Sequence, residues 1–271
     1  MVFLITGASS GIGLALAKTL IEKGNIVYCA ARRLERMANL KIIGGHIISL
    51  DLNDDKSIVN CVNKIISEQG GIDVLVNNAG YGLYGPVECT PMDEGRQEME
   101  VNFFAIARLC QLILPYMREK KDGRIINISS IAGRIYSPMS AWYVASKYAL
   151  EGFTDCLRLE ASTFNIKVIL IEPSPIKTNW SDGAKQTLET YSMKTPYQDF
   201  GMKSLTLLKS VLDGNMISEP QEAVNVIIKA IYAESPKTRY LCGKLAKISI
   251  IARSFMCDKL FDYVIKKQMN K

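Results

Sequence analysis

A tyrosine and a lysine spaced four residues apart, Tyr143 and Lys147, form the side-chain pair with the clearest chemical use in this sequence. On a helix, residues i and i+4 lie on one face. An ammonium group there favours the phenolate and lowers the phenol pKa from its usual value of about 10. Such a tyrosine can exchange a proton with a carbonyl or alcohol oxygen. Ser130 ends a predicted strand, and its hydroxyl is expected beside the same oxygen. Alone, the spacing also fits a pair on a helix surface.

A second pattern, TGASSGIG, places Gly7, Gly11 and Gly13 directly after a short apolar run. It predicts a strand, a tight turn and a helix that together bind a dinucleotide. Gly7 permits the turn, Gly11 leaves the backbone open to a pyrophosphate, and Gly13 lets the helix pack closely. The helix N-terminus presents free N–H groups to the phosphates. The alternative is a plain glycine-rich turn.

Two arginines, Arg32 and Arg33, follow the second apolar run, which ends at Ala31. A guanidinium is a planar fork that suits a phosphate. Ordinary solvated charges are the alternative interpretation. Glu35 is the nearby acid that could pair with either arginine and reduce its charge.

Short apolar runs rich in β-branched residues alternate with segments of helical periodicity along the chain. The predicted strands are 2–5, 25–30, 46–50, 73–76, 123–129 and 166–172. Near-continuous apolar strands joined by helices predict a parallel sheet covered on both faces. We therefore expect one α/β domain over residues 1–271, with a doubly wound sheet of Rossmann type.

This periodicity weakens after Ile171. Residues 173–217 carry Pro or Gly at six positions, together with many polar residues. We expect an irregular segment that is a substrate lid over about 178–217, or is disordered. A helix resumes after Ser218, the expected N-cap, with Gln221 completing a capping box.

Composition excludes several classes of protein. The 48% apolar and 22% charged residues are typical of soluble globular proteins. No run approaches the roughly 18 apolar residues of a membrane span, and the amino terminus does not read as a signal peptide. Seven scattered cysteines without CxxC spacing predict a reduced, cytoplasmic protein. With a single histidine, no metal site is expected.

The net charge of +6 is concentrated near the carboxyl terminus. Residues 237–271 carry seven Lys and two Arg against two Asp, so the rest of the chain is nearly neutral. A neutral body without a recognition motif argues against nucleic-acid binding. We expect the basic extension, about 242–271, to form helices packed on its own domain or on a partner. The alternative is weak peripheral contact with an anionic membrane surface.

Together these motifs resemble the short-chain dehydrogenase/reductase family. Twelve residues separate Ser130 from Tyr143 and three separate Tyr143 from Lys147, which matches the family spacing. The glycine pattern, the Asp-Leu pair at 51–52 and the NNAG run at 77–80 also match. The resemblance covers about residues 2–180 and, more weakly, the rest. In character the sequence is similar to hydroxysteroid and retinol dehydrogenases and to acyl-dihydroxyacetone-phosphate reductases.

The resemblance implies a catalytic tetrad. Tyr143 is the general acid/base, and Lys147 lowers its pKa and binds the nicotinamide ribose. Ser130 holds the substrate oxygen. Asn102, in a mid-helix VN pair, supports a water chain that relays protons.

The resemblance also implies the cofactor. In members that use NAD, an acid ends the second strand and binds the ribose 2′-hydroxyl; Ala31 takes that position here. NADP(H) is therefore expected, with Arg32 as the 2′-phosphate receptor. Arg33 is a weaker contact that stacks on the adenine or faces solvent. The residues implied in cofactor binding are Gly7, Ser9, Ser10, Gly11, Ile12, Gly13, Arg32, Arg33, Asp51, Leu52, Asn78, Ala79, Gly80, Tyr143, Lys147, Pro173, Ile176 and Thr178.

One position departs from the family pattern. Ser174 replaces the usual glycine after the sixth strand, and with Pro175 it predicts a stiffer turn and an altered pocket entrance. The lid is rich in aromatic residues, which fits an apolar carbonyl or alcohol such as a steroid, retinoid or fatty-acyl ketone. The aromatics could equally be core or an oligomer contact.

The expected function is NADP(H)-dependent interconversion of a carbonyl and an alcohol on such a small molecule. The alternative is a sensor or scaffold that binds NADP(H) without turnover. The resemblance implies a homodimer or homotetramer, formed through the helices that carry Asn102 and Tyr143.

Overall fold

Seven parallel strands form one sheet in the order β3-β2-β1-β4-β5-β6-β7. The computed structural model describes residues 1–212, 217–244 and 246–269. The strands are β1 (Val2–Thr6), β2 (Ile26–Ala31), β3 (His46–Ser49), β4 (Val74–Asn77), β5 (Gly123–Ile128), β6 (Ile166–Pro173) and β7 (Arg239–Cys242). The strand order reverses between β1 and β4, which opens a crevice at their carboxyl ends. This architecture confirms the predicted doubly wound α/β fold.

Helices lie on both faces of the sheet. They are α1 (Gly11–Glu22), α2 (Ala38–Ile42), α3 (Asp55–Gln69), α4 (Met92–Met99), α5 (Ala105–Lys120), α6 (Ala141–Ser162), α7 (Trp180–Ser192), α8 (Gln198–Leu212), α9 (Pro220–Tyr232), α10 (Ala246–Ser254) and α11 (Asp258–Met269). Short 3-10 turns cover Leu34–Met37 and Ile131–Gly133, and a π turn, Glu100–Phe104, joins α4 to α5.

The core consists of two apolar layers, one on each face of the sheet. Along β1, Phe3 and Ile5 pack in the layer that includes α1 and α9, whereas Leu4 packs in the layer that includes α3, α5 and α6. All three side chains are fully buried. This alternation is the period of two expected for a strand covered on both sides. Each such side chain contributes about 1.5–3 kcal/mol through burial.

Strand β7 is absent from the predicted strands. It is short and half-buried, and it begins with Arg239, so its sequence lacks the apolar run of the other strands. Arg239 contributes through ion pairs, with Nε 3.1 Å from carboxylate oxygens of both Glu151 and Glu172. Ion pairs of Arg239 therefore help to anchor this edge strand, which lacks the apolar run of the other strands.

The expectation of an irregular segment over 173–217 is wrong for most of its length. Residues 180–192 and 198–212 form α7 and α8. Gly201 permits a close crossing of these helices, because a Cβ there would lie 2.4 Å from the Ser192 Oγ. The glycine is a packing contact, not a helix breaker. Residues 213–216 of the predicted lid lie outside the described residues.

The start of α9 also differs from the prediction. Glu219 is the N-cap residue and Pro220 takes the first helical position. The Ser218 hydroxyl makes no cap bond and instead accepts a hydrogen bond from the Lys244 N–H at 3.2 Å.

The carboxyl-terminal helices α10 and α11 pack on their own domain. The Phe261 ring lies 4.9 Å from the Tyr136 ring, edge to face, and the Tyr136 hydroxyl donates to Asp262 at 2.9 Å. The Arg253 guanidinium covers both rings. Within the part of the chain that the structure describes, no helix has the length and apolarity to cross a bilayer.

Candidate active site

A cavity of about 1000 Å³ lies over the carboxyl ends of the central strands. One end is lined by the glycine loop after β1 and by the residues that follow β2 and β3. The other end is lined by α8, α10 and α11. Tyr143 and Lys147 also line the cavity, with Lys147 beside Gly80 of the NNAG run and Tyr143 beside Trp180 at the start of α7. The cavity thus joins the predicted dinucleotide site to a separate compartment walled by helices.

The glycine loop has the backbone geometry that its sequence predicts. Gly7 and Gly11 have φ of +69° and +56°, in the left-handed region that favours glycine. A Cβ at Gly7 would lie 2.8 Å from the Ala79 Cα. A Cβ at Gly13 would lie 2.5 Å from the Gly7 carbonyl oxygen, which confirms its packing role. Gly13 itself lies behind the loop and is not part of the cavity lining.

The NNAG run ties the end of β4 to the end of β1. The Thr6 hydroxyl accepts hydrogen bonds from the N–H groups of Asn78 and Ala79, both at 3.0 Å. The Asn78 side-chain amide donates to the Thr6 carbonyl at 2.9 Å. Asn78 therefore joins the ends of β1 and β4 where they line the cavity.

The arginines after β2 are both exposed at the cavity edge. Among the described residues neither forms an ion pair, so the expected alternative of a pair with Glu35 is not found. The neighbouring turn is fixed by Asp51, whose N–H donates to the Ser57 hydroxyl at 2.9 Å. The glycine loop can receive a pyrophosphate because no Cβ atom obstructs it. With the two arginine cations beside it, this end of the cavity fits a dinucleotide that carries an extra phosphate. All the predicted cofactor residues except Gly13 line this cavity.

The structure brings Ser130, Tyr143 and Lys147 together. Ser130 lies two residues after the end of β5, and its hydroxyl accepts a hydrogen bond from the Ala132 N–H at 3.1 Å. The hydroxyl is near enough to the Tyr143 phenol to lower the pKa of that group. Tyr143 lies in the first turn of α6, and Lys147 follows one turn later. The Lys147 Nζ donates to the Ile128 carbonyl at 3.0 Å and lies 5.9 Å from the centre of the Tyr143 ring.

The expected lowering of the Tyr143 pKa is wrong for the protein alone. Burial raises the pKa of the phenol to about 12, and the nearby Ser130 hydroxyl opposes that rise only in part. Burial also lowers the pKa of Lys147 to about 8. The ammonium is directed to a backbone carbonyl, so desolvation outweighs its effect on the phenol.

Asn102 lies in the π turn, fully buried and outside the cavity lining. Its side-chain amide donates to the Tyr81 carbonyl at 2.9 Å and to the Ser146 hydroxyl at 3.1 Å. Its side-chain oxygen accepts from the Tyr81 N–H at 3.2 Å. The side chain thus joins the segment after β4 to α6. The proton-relay role expected of Asn102 stays a prediction.

Glu98 is a site residue that the sequence reasoning missed. It is 0% exposed, and its Oε1 accepts hydrogen bonds from the Leu83 N–H at 2.9 Å and the Asn102 amide at 3.4 Å. Burial raises the pKa of its carboxyl to about 8. Its charge also acts on both Tyr143 and Lys147, raising the pKa of each. The signal was available, since Glu98 precedes Asn102 by four residues and shares its helical face.

Aromatic rings connect the lid to Tyr143. The Trp180 ring at the start of α7 lies 5.1 Å from the Tyr143 ring, and the Tyr84 ring lies 6.1 Å from both. Trp180 packs over Gly82, where a Cβ would lie 2.4 Å from the indole. Beyond this cluster the lining is mainly apolar: Leu207, Leu208, Val211, Leu212, Ile248, Ala252, Met256, Phe261, Val264, Ile265 and Met269.

Ser174 sits where β6 meets β7. Its N–H donates to the Cys242 carbonyl at 2.9 Å, which extends the strand pairing by one residue. A Cβ at Gly243 would lie 2.2 Å from the Ser174 Oγ. The turn after β6 is therefore held by β7, and Pro173, Ile176 and Thr178 reach the cavity from it.

Comparison with known proteins identifies the family. The sequence profile of the short chain dehydrogenases matches residues 1–189. A 3-ketodihydrosphingosine reductase of Bacteroides thetaiotaomicron is 35% identical over 268 residues, covering 98% of this chain and 96% of that protein. An NADPH-dependent 3-dehydrocapnine reductase of Ornithobacterium rhinotracheale is 35% identical over 280 residues, covering 99% and 97%.

Solved structures agree with this assignment. A metagenomic short-chain oxidoreductase in complex with NADP superposes with a TM-score of 0.70 at 27% identity, covering 89% of this chain and 96% of that one. The matched range, residues 1–189, spans the glycine loop, Ser130, Tyr143 and Lys147. The chain belongs to the short-chain dehydrogenase family of oxidoreductases.

Proposed function

We propose that this protein is an NADPH-dependent reductase that converts a lipid ketone to the alcohol. The observation that carries the proposal is the position of Ser130, Tyr143 and Lys147. They lie at the junction between a dinucleotide cradle and an apolar, helix-walled compartment. Two relatives are named for reducing 3-ketodihydrosphingosine and 3-dehydrocapnine, which supports a lipid substrate.

Several observations support NADPH over NADH. Ala31 ends β2 without an acid, and Arg32 and Arg33 lie exposed beside it at the cavity edge. One relative is named as NADPH-dependent, and a structural neighbour holds NADP. Arg32 is assigned the 2′-phosphate, and Arg33 is a weaker second contact.

The chain's own residues supply orientation and the proton. NADPH, when bound, supplies the hydride. Ser130 donates a hydrogen bond to the substrate carbonyl oxygen, and the Tyr143 phenol donates a proton to that oxygen. Lys147, on the same face of α6 as Tyr143, would hold the ribose of the bound cofactor. The apolar walls exclude water from the reacting atoms.

The Tyr143 phenol is in the protonation state that carbonyl reduction uses. Because burial raises the pKa of the phenol to about 12, it is protonated at neutral pH. A protonated phenol is the form needed to give a proton to a carbonyl oxygen. Alcohol oxidation requires the phenolate, which this environment disfavours.

The experiment follows oxidation of NADPH and NADH with 3-ketodihydrosphingosine and a water-soluble aromatic ketone. Tyr143→Phe should lower kcat by about 10³-fold while leaving NADPH binding intact, since general acid catalysis is worth about 10²–10⁴-fold. Tyr84→Phe is the matched control, because it removes a hydroxyl from the same ring cluster. Full turnover by Tyr143→Phe would contradict the mechanism. NADPH binding without turnover of any ketone would favour the sensor or scaffold alternative.

Assembly and compartment belong to the same proposal. Exposed apolar side chains on the helices that carry Asn102 and Tyr143, namely Phe104, Tyr116, Tyr148 and Leu159, support a homodimer or homotetramer. Light scattering on the purified protein tests it. The seven cysteines are free thiols, which suits a reducing compartment such as the cytoplasm.

A further inference from the structure

The outward face of α10 and α11 exposes an unusual amount of apolar surface. Phe255, in the turn between the helices, is 86% exposed, and Ile248 and Tyr263 are 66% and 60% exposed. Ile251 and Leu260 are also exposed. Grouped apolar side chains on one surface mark an interaction site more often than single ones do. We call the surface formed by these five residues and four nearby lysines the tail face. The lysines are Lys247, Lys259, Lys266 and Lys267.

The tail face is strongly basic. Lys247 lies four residues before Ile251 on α10, and Lys259, Lys266 and Lys267 share α11 with Tyr263. All four lysines are exposed, and within the described residues none of them forms an ion pair.

The acids of these helices do not offset that charge. Asp258 is paired with Arg253, and Asp262 accepts the Tyr136 hydroxyl. The lysines therefore present an uncompensated positive surface around the apolar side chains.

The inner side of the same helices is the wall of the substrate compartment. Ala252, Met256, Val264 and Ile265 line the cavity from α10, α11 and the turn between them. Ile248 both lines the cavity and is largely exposed, so it stands at the mouth. A molecule that passes Ile248 from the tail face would enter the cavity directly.

We infer that the tail face docks on the surface of an anionic lipid bilayer, from which the ketone enters the cavity past Ile248. The inference rests on the proposed function and adds the source of the substrate. Exposed lysines are attracted to anionic headgroups, and an exposed Phe, Leu and Tyr can enter the boundary between headgroups and acyl chains. A soluble protein partner would be expected to need acids to match this charge, and it would not explain why the face opens into an apolar compartment.

The experiment is co-sedimentation of the full chain with phosphatidylcholine vesicles, prepared with and without phosphatidylglycerol. Binding is expected with the anionic vesicles and weak without them. Phe255→Ser should reduce binding about tenfold, and the triple variant Lys259→Glu, Lys266→Glu, Lys267→Glu should reduce it at least a hundredfold, because each lysine contributes about fivefold. The matched control reverses three exposed lysines elsewhere that also form no ion pair within the described residues: Lys23, Lys41 and Lys56.

Activity provides the second readout. With 3-ketodihydrosphingosine in anionic vesicles, the tail-face variants should show at least a tenfold higher KM. Their kcat and KM for a water-soluble ketone should stay unchanged, which shows that the fold is intact. The control triple variant should resemble wild type with both substrates.

Several results would overturn the inference. One is absence of wild-type binding to anionic vesicles, and another is equal binding to neutral ones. A third is a changed oligomeric state in Phe255→Ser with unaltered vesicle binding, which would assign the face to contact between copies of the chain. Failure of the proposed function looks different, since vesicle binding would persist while no ketone in any form is reduced.

Discussion

The two ends of the cavity are built by different means. The nucleotide end consists of turns after strands, with positive φ at Gly7 and Gly11 and with hydrogen bonds to the Thr6 hydroxyl that join β4 to β1. The substrate end, which is the helix-walled compartment proposed to hold the ketone, is built through apolar packing, as Leu188 of α7 and Leu205 of α8 show around Met139. Backbone geometry admits few substitutions, whereas apolar packing admits many of similar volume. We therefore expect the nucleotide end to be sensitive to single atoms and the substrate end to be tolerant.

The largest effect should come from one methyl group at the nucleotide end. Gly13→Ala would place a Cβ 2.5 Å from the Gly7 carbonyl oxygen and equally close to the Asn78 amide. Because one contact is backbone, we expect a loss of about 3 kcal/mol in the free energy of unfolding, with weakened NADPH binding. Urea denaturation and fluorescence titration with NADPH measure the two. If Gly13→Ala kept the wild-type free energy of unfolding and the wild-type NADPH affinity, the nucleotide end would not be sensitive to single atoms.

A smaller effect should come from the charge at the nucleotide end. Arg32→Ala removes the proposed 2′-phosphate contact, and a hydrogen bond between charged groups contributes about 1.5–3 kcal/mol. The ratio of kcat/KM for NADPH over NADH should fall about 10–100-fold. Arg33→Ala is the internal control and should change this ratio less. An unchanged ratio in Arg32→Ala would make both arginines ordinary solvated charges.

The boundary between the two ends is probed by Glu98→Gln, which keeps a side-chain oxygen for the Leu83 N–H but removes the charge. That charge raises the pKa of both Tyr143 and Lys147, so its loss lowers both. The alkaline limb of the reduction profile should move to lower pH by up to about one unit, which corresponds to 1.4 kcal/mol. Below about pH 8 the Glu98 carboxyl is largely protonated, so wild type and variant should there coincide.

Stability gives an independent measure of the same group. The folded protein holds the Glu98 pKa at about 8, above its ordinary value of 4.5. The native state therefore binds more protons in this interval, and wild type should lose stability relative to Glu98→Gln as pH rises from about 4.5 to about 8. Below that interval the difference should be constant. A constant difference across the whole range, measured by urea denaturation, would mean that Glu98 is not held protonated.

The smallest effect should come from the substrate end. Gly183 lies within α7, and a Cβ there would meet nothing within 4 Å. Gly183→Ala should stabilise the protein by about 0.5–1 kcal/mol, because alanine loses less backbone entropy in a helix. The same chemical change as in Gly13→Ala thus has the opposite sign at the other end of the cavity. A large loss in the free energy of unfolding for Gly183→Ala would contradict the proposed difference between the nucleotide end and the substrate end.

The same division explains how much the sequence could predict. Strand ends and glycine spacings are local signals, so the residue pattern alone locates the fold class, the glycine loop and the Ser130, Tyr143 and Lys147 set. Helices α7 and α8 could not be found in this way, because Gly201 is explained only by the distant Ser192 that it contacts. Strand β7 depends on ion pairs formed by Arg239 with α6 and β6, which a single strand's pattern does not encode.

Ionisation was the least predictable property of the site. The spacing of Tyr143 and Lys147 correctly places them on one helix, yet the pKa of Tyr143 depends on burial and on Glu98. Desolvation results from every element packed around a group, so residue spacing cannot provide it.

At the π turn Glu100–Phe104, the number of residues sets how α4 is rotated relative to α5. A π turn closes on the fifth residue along instead of the fourth, so it accommodates one residue more than an α-helical path. Each residue of an α-helix advances it by about 100°. Deleting one residue here would restore a regular helix, turn α4 by about that angle relative to α5, and separate Glu98 from the Leu83 N–H. Exchanging Val101 or Phe103 for another apolar residue would leave the rotation of α4 relative to α5 unchanged. The fold should therefore tolerate many substitutions in this turn but few deletions.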